Sequence, residues 1–459
     1  MKRNKIIILL LIFLVGIGVF YVSHVRRPIL LDHGWTPPVK IADSQNDLDG
    51  SVDLYRWRDT IILLQSRYDW SSKSSTCSIM TRNNNPPNSW YQQPLSDIPR
   101  GYRFYTPAID AANDNILFAQ SYTENDQLMM STIFAHMMEN GHTQVGTERK
   151  WTTDKKSLLG ETPPNVHINE PGKRGWGLLL GFGILNGADI YISYCLSGRA
   201  YRGNSTEDGP LYNGIFLSTD SGKTWQIERI SDFDSFDSTV CRTKGHYYYF
   251  ATGLIGIRHG HPLWFSRKSV GDNSWDQPKE LKRTIPNGVD ARYIATTEDD
   301  TVHLFWLDSR HTKWRFTLEG PIFEDCEVAY CHWKDADAGW SKDVILSKGV
   351  RSSYAPSISV EGDKIVAAWS GNQTARACPW ECDPNDIYYA TSKDGGKTWA
   401  KPLQVTDVAK DGITVGRTQV ALHSGVIHLF YVQGKWDQNL QVGNQGSWPI
   451  YYQQHPFPN

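Results

Sequence analysis

Two eight-residue segments of this chain match almost letter for letter. Ser218-Thr219-Asp220-Ser221-Gly222-Lys223-Thr224-Trp225 and Ser392-Lys393-Asp394-Gly395-Gly396-Lys397-Thr398-Trp399 both read S-x-D-x-G-x-T-W. Each follows a short apolar run, at residues 214–217 and 387–390, and precedes another strand-like segment. The chemistry suits a hairpin turn. An Asp carboxylate accepts hydrogen bonds from nearby backbone N–H groups, and Gly takes the positive φ that a tight turn needs. A turn that recurs with its flanking strands marks a repeat architecture, in which each unit buries its faces only against its neighbours.

Degenerate copies keep the Trp and lose the rest. Ser266 to Trp275 is stretched by two residues, and Asp337-Ala338-Gly339-Trp340 retains only the end. Taking the Trp that opens each short strand gives Trp35, Trp90, Trp151, Trp225, Trp275, Trp340 and Trp399, about 61 residues apart on average. A further unit would run past the last residue. The N-terminal segment WTPPVKIAD at 35–43 resembles WAKPLQVTD at 399–407, so it is expected to supply the outer strand of the last unit. That swap closes the ring and covers an otherwise open edge. Each unit also holds an apolar run suited to a strand buried on both faces, at 61–64, 116–119, 190–194, 247–250, 302–306, 365–369 and 426–431. The expected fold is all-β, a β-propeller of four-stranded blades spanning 31–459 as one domain. The count gives seven blades, with six as the alternative.

Lys2, Arg3 and Lys5 precede an unbroken apolar run from 6 to 22. Residues 1–30 therefore read as a signal anchor with a transmembrane helix or as a cleaved signal peptide, and either leaves the body outside the cytoplasm. In an exported chain seven cysteines make disulfides plausible, with Cys326–Cys331 and Cys378–Cys382 as local staples. Basic residues number 47 and acidic residues 49, so no global basic field exists to hold nucleic acid. No cofactor and no metal are expected, and a closed ring reads as a monomer.

The two octads are Asp-box motifs, and through them the chain resembles the BNR-repeat, sialidase-like propellers. The resemblance covers the repeats throughout and implies a ligand site at one mouth of the central funnel. It implies three arginines on a substrate carboxylate, a Tyr nucleophile assisted by Glu, and an Asp acid/base. This chain departs from the family at two points. Where the family carries Arg-Ile-Pro at the start of an inner strand, it reads Tyr105-Thr106-Pro107 and Tyr354-Ala355-Pro356, and the family fold has six blades.

Residues bordering the inner and second strands supply the expected mouth. Asp69, Asp290 or Asp308 would be the acid, and Tyr105 or Tyr354 the nucleophile. Arg67, Arg292, Arg310, Arg417, His259 and His261 would bind substrate. Guanidinium forks hold carboxylates bidentately, so this set suits an anionic sugar. Asp220, Trp225, Asp394 and Trp399 are structural, since the turn itself accounts for them. The function classes left open are a sialidase-like glycosidase acting on an acidic glycan, a non-catalytic glycan- or protein-binding propeller, and a His/Tyr polysaccharide lyase using His259 and His261.

Overall fold

A computed structural model describes residues 29–458, apart from 45–51, 58–59, 70–73, 84–88, 100–105, 111–113, 125–126, 139–142, 154–176, 198–212, 232–234, 254–260, 285–293, 299, 309–312, 318–319, 325–326, 335–338, 373–384 and 436–447. Blade 1, from its inner strand outward, is Val52–Trp57, Thr60–Asp69, Ser74–Asn83 and Ser89–Pro99. Blade 2 is Thr106–Asp110, Asn115–Glu124, Gln127–Met137 and Thr143–Thr153. Blade 3 is Gly177–Asn186, Asp189–Ser197, Asn213–Ser218 and Gln226–Ser231. Blade 4 is Ser235–Arg242, His246–Gly253, His261–Ser269 and Lys279–Thr284. Blade 5 is Ile294–Glu298, Thr301–Asp308, Glu327–Lys334 and Val344–Ile345. Blade 6 is Arg351–Glu361, Lys364–Asn372, Asp386–Ser392 and Leu403–Gln404. Blade 7 is Ile413–His423, Val426–Lys435, Trp448–Pro456 and, from the other end of the chain, Val39–Ser44. The molecule is a seven-bladed propeller. All seven apolar runs fall in second strands, and Val302–Leu307 and Ile365–Trp369 are buried without a break. Period-2 alternation is absent there because neighbouring blades cover both faces.

The ring closes through two blades rather than one. Val39 lies opposite Tyr452 and Ser44 opposite Trp448, which completes blade 7. Just upstream, Leu31 bridges Gln404 in parallel, with Asp32 N–H donating to Gln404 O (2.8 Å) and Gln404 N–H to Leu30 O (2.9 Å). The same segment thus extends the outer edge of blade 6. Between the two contacts Trp35 is buried among Val366, Val405 and Leu422, edge-on to Tyr389 at 5.3 Å. Asp32 accepts from the Tyr389 hydroxyl and from Gly34 N–H, and its other neighbour is His455 at 3.2 Å. Burial pushes the Asp32 carboxyl up, but the Tyr389 and Gly34 donors and His455 outweigh it and hold it below the usual range.

The two octads form near-identical turns. Asp220 Oδ1 accepts from Thr224 N–H (2.9 Å) and Lys223 N–H (3.0 Å), and its Oδ2 from the Thr224 hydroxyl (2.7 Å). Asp394 does the same with Thr398 N–H (2.8 Å) and the Thr398 hydroxyl (2.6 Å). The Thr224 hydroxyl and amide hold the Asp220 carboxyl down at about 2, and Thr398 likewise lowers Asp394. Each turn is a docking point for the preceding blade. Tyr330 of blade 5 packs edge-on to Trp399 at 4.9 Å, and its hydroxyl lies 2.0 Å from where a Cβ on Gly396 would stand. Arg149 of blade 2 reaches the other turn, donating to Ser221 O at 2.6 Å. Asp394→Ala should therefore cost about 1–2 kcal/mol through its lost hydrogen bonds while leaving ligand binding intact. Chemical denaturation beside a binding isotherm checks this, and a stably folded variant that no longer binds would refute the structural assignment.

Two expectations need correction. Trp151 lies near the far end of the outer strand of blade 2, opposite Met130, instead of opening it. It still packs on the next blade, edge-on to Phe216 at 5.5 Å. Cys331 is a buried thiol, not half of a staple to Cys326. It sits within the third strand of blade 5 opposite Leu304, and its side chain fills the core shared with Tyr248, Phe250 and Trp306. Cys326, Cys378 and Cys382 lie outside the described residues, as do residues 1–28 of the expected anchor. Among the described residues no helix is long and apolar enough to cross a membrane.

Blades 5 and 7 share a second repeat, a buried His paired with a Tyr on the neighbouring strand. His303-Leu304-Phe305 and His428-Leu429-Phe430 occupy the second strands of blades 5 and 7. Each His shares a hydrogen bond with a Tyr on the third strand, His303 Nδ1 with Tyr330 Oη at 2.8 Å and His428 Nδ1 with Tyr452 Oη at 2.9 Å. Burial holds the two imidazoles neutral, lowering them from 6.5 to about 3 and about 4. Between pH 6.5 and about 4 the unfolded chain consequently binds more protons than the folded one. Stability should be fully present above that window and fall as the pH drops through it. Melting temperatures of the parent and of the His303→Gln/His428→Gln double variant check this, the variant showing the shallower acid slope. Equal slopes would contradict it.

Candidate functional site

Strand order sorts the loops between two faces. Hairpins joining inner to second strands, and third to outer strands, emerge on one face, which therefore carries both octad turns. Connections from second to third strands, and from each blade to the next inner strand, emerge on the opposite face. Loops gathered at one end of a rigid β-scaffold are the usual location of a binding site. Among the described residues one structured insertion stands there, the hairpin Lys313–Thr317 and Gly320–Glu324 between the second and third strands of blade 5. Its second strand lies beside the inner strand of blade 6. Sequence reasoning passed over it, because Leu318-Glu319 between its strands is not a hairpin-turn pair and Pro321 argues against a strand.

Every described candidate from the sequence lies on this mouth face. Arg67 and Asp69 end the second strand of blade 1, opposite Thr76 and Ser74. Asp308 ends the second strand of blade 5 opposite Glu327 and is fully buried. His261 opens the third strand of blade 4 opposite Thr284. Tyr354 is on the inner strand of blade 6 opposite Ser370, and Arg417 is on the inner strand of blade 7. Tyr105, His259, Asp290, Arg292 and Arg310 lie outside the described residues. In sequence each stands within four residues of a strand end on this face.

Four of the seven inner strands, those of blades 3, 4, 6 and 7, leave register with their second strands, whereas those of blades 1, 2 and 5 pair without a shift. Registers shift between Leu180 and Gly183 in blade 3, Ser235 and Asp237 in blade 4, and Gly416 and Gln419 in blade 7. Blade 6 shifts twice, on either side of Tyr354. Bulges bend a strand and re-aim the side chains it carries, and they concentrate beside functional sites. Arg417, half-buried inside the blade 7 bulge, has φ +48°. A non-glycine residue in that region costs of order 1 kcal/mol or more and persists only where its surroundings hold it.

Side chains of blade 6 do the holding. Val420 N–H donates to Ser357 Oγ (3.0 Å), Leu422 N–H to Ser359 Oγ (2.9 Å), and Ser424 N–H to Glu361 Oε1 (2.8 Å). These alternate residues of one inner strand zip it to the next. Three residues mouthward from the Ser357–Val420 contact the two strands reach Tyr354 and Arg417, so this Tyr and this Arg occupy matching levels on adjacent strands. Nearer the mouth Asn385 Oδ1 accepts from Val415 N–H (2.6 Å), and Asn385 N–H donates to Ile413 O (3.2 Å). Asp386 ties down the crossover into blade 7, accepting from the Thr406 hydroxyl (2.9 Å) and Val408 N–H (2.7 Å). Burial pushes the Asp386 carboxyl up despite these donors. Neither Asn385 nor Asp386 was singled out from sequence, because a clamp acting through backbone amides leaves no side-chain motif. Among the described residues no cluster of three or more His, Cys, Asp or Glu is placed to hold a metal ion.

Comparison by sequence matches no protein family and no characterised protein. Comparison by structure finds Trypanosoma rangeli sialidase in complex with sialic acid, 10% identical with a TM-score of 0.48 over 94% of this chain and 60% of that one. A polysaccharide lyase is 9% identical with a TM-score of 0.48, covering 94% of this chain and 100% of that one. The leech intramolecular trans-sialidase is 12% identical with a TM-score of 0.44 over 92% and 70% of the two chains. This chain thus spans less than two thirds of the Trypanosoma enzyme's length.

Proposed function

We propose that the mouth face binds a carboxylate-bearing glycan and hydrolyses a glycosidic bond there, outside the cytoplasm. The observation supporting this is the placement of Arg417 and Tyr354 at matching levels on adjacent bulged inner strands, on the face that also receives Arg67, Asp69 and Asp308. Arginine forks hold the carboxylate and fix the sugar ring. A carboxylic acid from Asp69 or Asp290 protonates the leaving oxygen while the Tyr354 or Tyr105 oxygen, its proton passing to a neighbouring carboxylate, attacks the anomeric carbon through an oxocarbenium-like transition state. Water, deprotonated by the first carboxylate, then displaces the tyrosine, which takes its proton back, and the sugar is released. Asp308 is enclosed in the fold, which suits it to bracing the site more than to proton transfer.

His261 on the same face favours a second reading, in which imidazole abstracts the proton α to a uronate carboxylate and the glycosidic bond is eliminated. The test is a screen of the purified extracytoplasmic part against sialyl, uronate and neutral oligosaccharides with product analysis. Hydrolysis yields a saturated new end and supports the first reading. An unsaturated, ultraviolet-absorbing end makes the protein a lyase, and tight binding without turnover makes it a binding module. Cell fractionation tests the proposed membrane anchorage separately.

A further inference from the structure

We infer that Asn385 and Ser357 are positioning residues that set Arg417 for the carboxylate, an inference that rests on the reading of the mouth given above. Arg417 has a backbone conformation that arginine does not adopt unaided, and it lies in the one stretch of its strand that leaves the register with Val426–Lys435. That stretch is pinned at both ends by blade 6. Asn385 holds the Val415 amide two residues before Arg417, and Ser357 holds the Val420 amide three residues after it. Both pins are buried, and both bond to backbone, so they determine where the chain runs whatever side chains it carries. Asn385 is itself fixed through its own N–H to Ile413 O. The excess length between the pins has to bulge, and the bulge contains Arg417. A guanidinium presented this way loses little freedom when a ligand arrives, which is how a preorganised fork gains affinity over a mobile one.

The pins touch no substrate, so their loss should move binding more than turnover. The experiment compares the parent with Asn385→Ala, Ser357→Ala and Asn385→Asp, the last keeping an acceptor for the Val415 amide. The probes are sialyllactose and oligogalacturonate, each also as its methyl ester, in which the carboxylate charge is masked. Hydrogen exchange of the peptide spanning 413–423 is followed without ligand. Each Ala variant should lose protection at Val415 or Val420, and its Kd or KM for the carboxylated probe should rise about tenfold with kcat within about twofold. The methyl esters should bind as they do to the parent, and Asn385→Asp should recover most of the loss. A general structural defect would instead lower all probes together. Faster exchange with unchanged acidic-glycan affinity overturns the inference while leaving the reading of the mouth intact. A parent that binds neither carboxylated probe better than its ester overturns that reading, and the positioning role with it. If Asn385→Ala does not fold, Ser357→Ala and Asn385→Asp decide the matter by the same criteria.

Discussion

Removal of residues 31–45 should destabilise the entire propeller, not just its last blade. The deletion takes away the outer strand paired from Val39 to Ser44, the Leu31–Gln404 bridge, and the Asp32 contacts with Tyr389 and His455. It also empties the site filled by Trp35, which is buried in the core between blades 6 and 7. Losing a buried aromatic alone costs about 3–5 kcal/mol. Together with the strand the loss should exceed about 5 kcal/mol and lower the melting temperature by roughly 5 °C or more. Because the segment joins two blades, the transition should weaken as one event. Trp35→Ala should reproduce about half of the effect. A deletion variant that melts like the parent would refute closure through the N-terminal segment.

Gly181→Val should prevent the protein from folding to its native state. The inner strands of blades 3 and 4 approach closely enough to form the parallel pair of Phe182 with Thr239. A Cβ on Gly181 would lie 1.8 Å from Ser238 O and 2.6 Å from Ser238 C. Those atoms are backbone, so no rotamer change relieves the clash and the two blades must separate. Overpacking of this kind costs about 3 kcal/mol or more. Soluble yield, circular dichroism and melting of Gly181→Ala and Gly181→Val check the point. Near-parent stability in both would show that blades 3 and 4 do not approach so closely. Gly187, whose Cβ would meet nothing, is the matched control, and only its positive φ (+62°) opposes substitution there.

Architecture was legible in this chain because repeats write it several times over. The apolar runs, the two octads and the match between 35–43 and 399–407 each state the blade pattern, and the fold agrees with all three. What escaped was information carried by single contacts. Trp151 and a strand-opening Trp look alike in sequence, since both are aromatics beside polar residues, and only register separates them. The His303 and His428 pairs needed the third strand to bring a Tyr alongside. Cys331 looked like a staple by its spacing from Cys326, but strand direction puts its side chain into the inter-blade core. At the mouth, the strand ends that carry the described candidates were legible and the levels of individual residues were not. Nothing in the text around Arg417 reveals a positive φ, because the strain is maintained by Asn385 and Ser357, residues 32 and 60 positions away.

The central claim is that arginines of the mouth recognise a carboxylate. Its most direct test is the affinity of Arg67, Arg292, Arg310 and Arg417 variants, to Ala and to Lys, for a carboxylated glycan and for its methyl ester. Each Ala variant at a contacting Arg should lose a few kcal/mol for the acid, roughly a hundredfold, and little for the ester. Lys should recover only part, because an ammonium cannot form the planar fork. If all eight variants bind both probes as the parent does, these arginines are loop ion pairs and the proposed recognition is wrong.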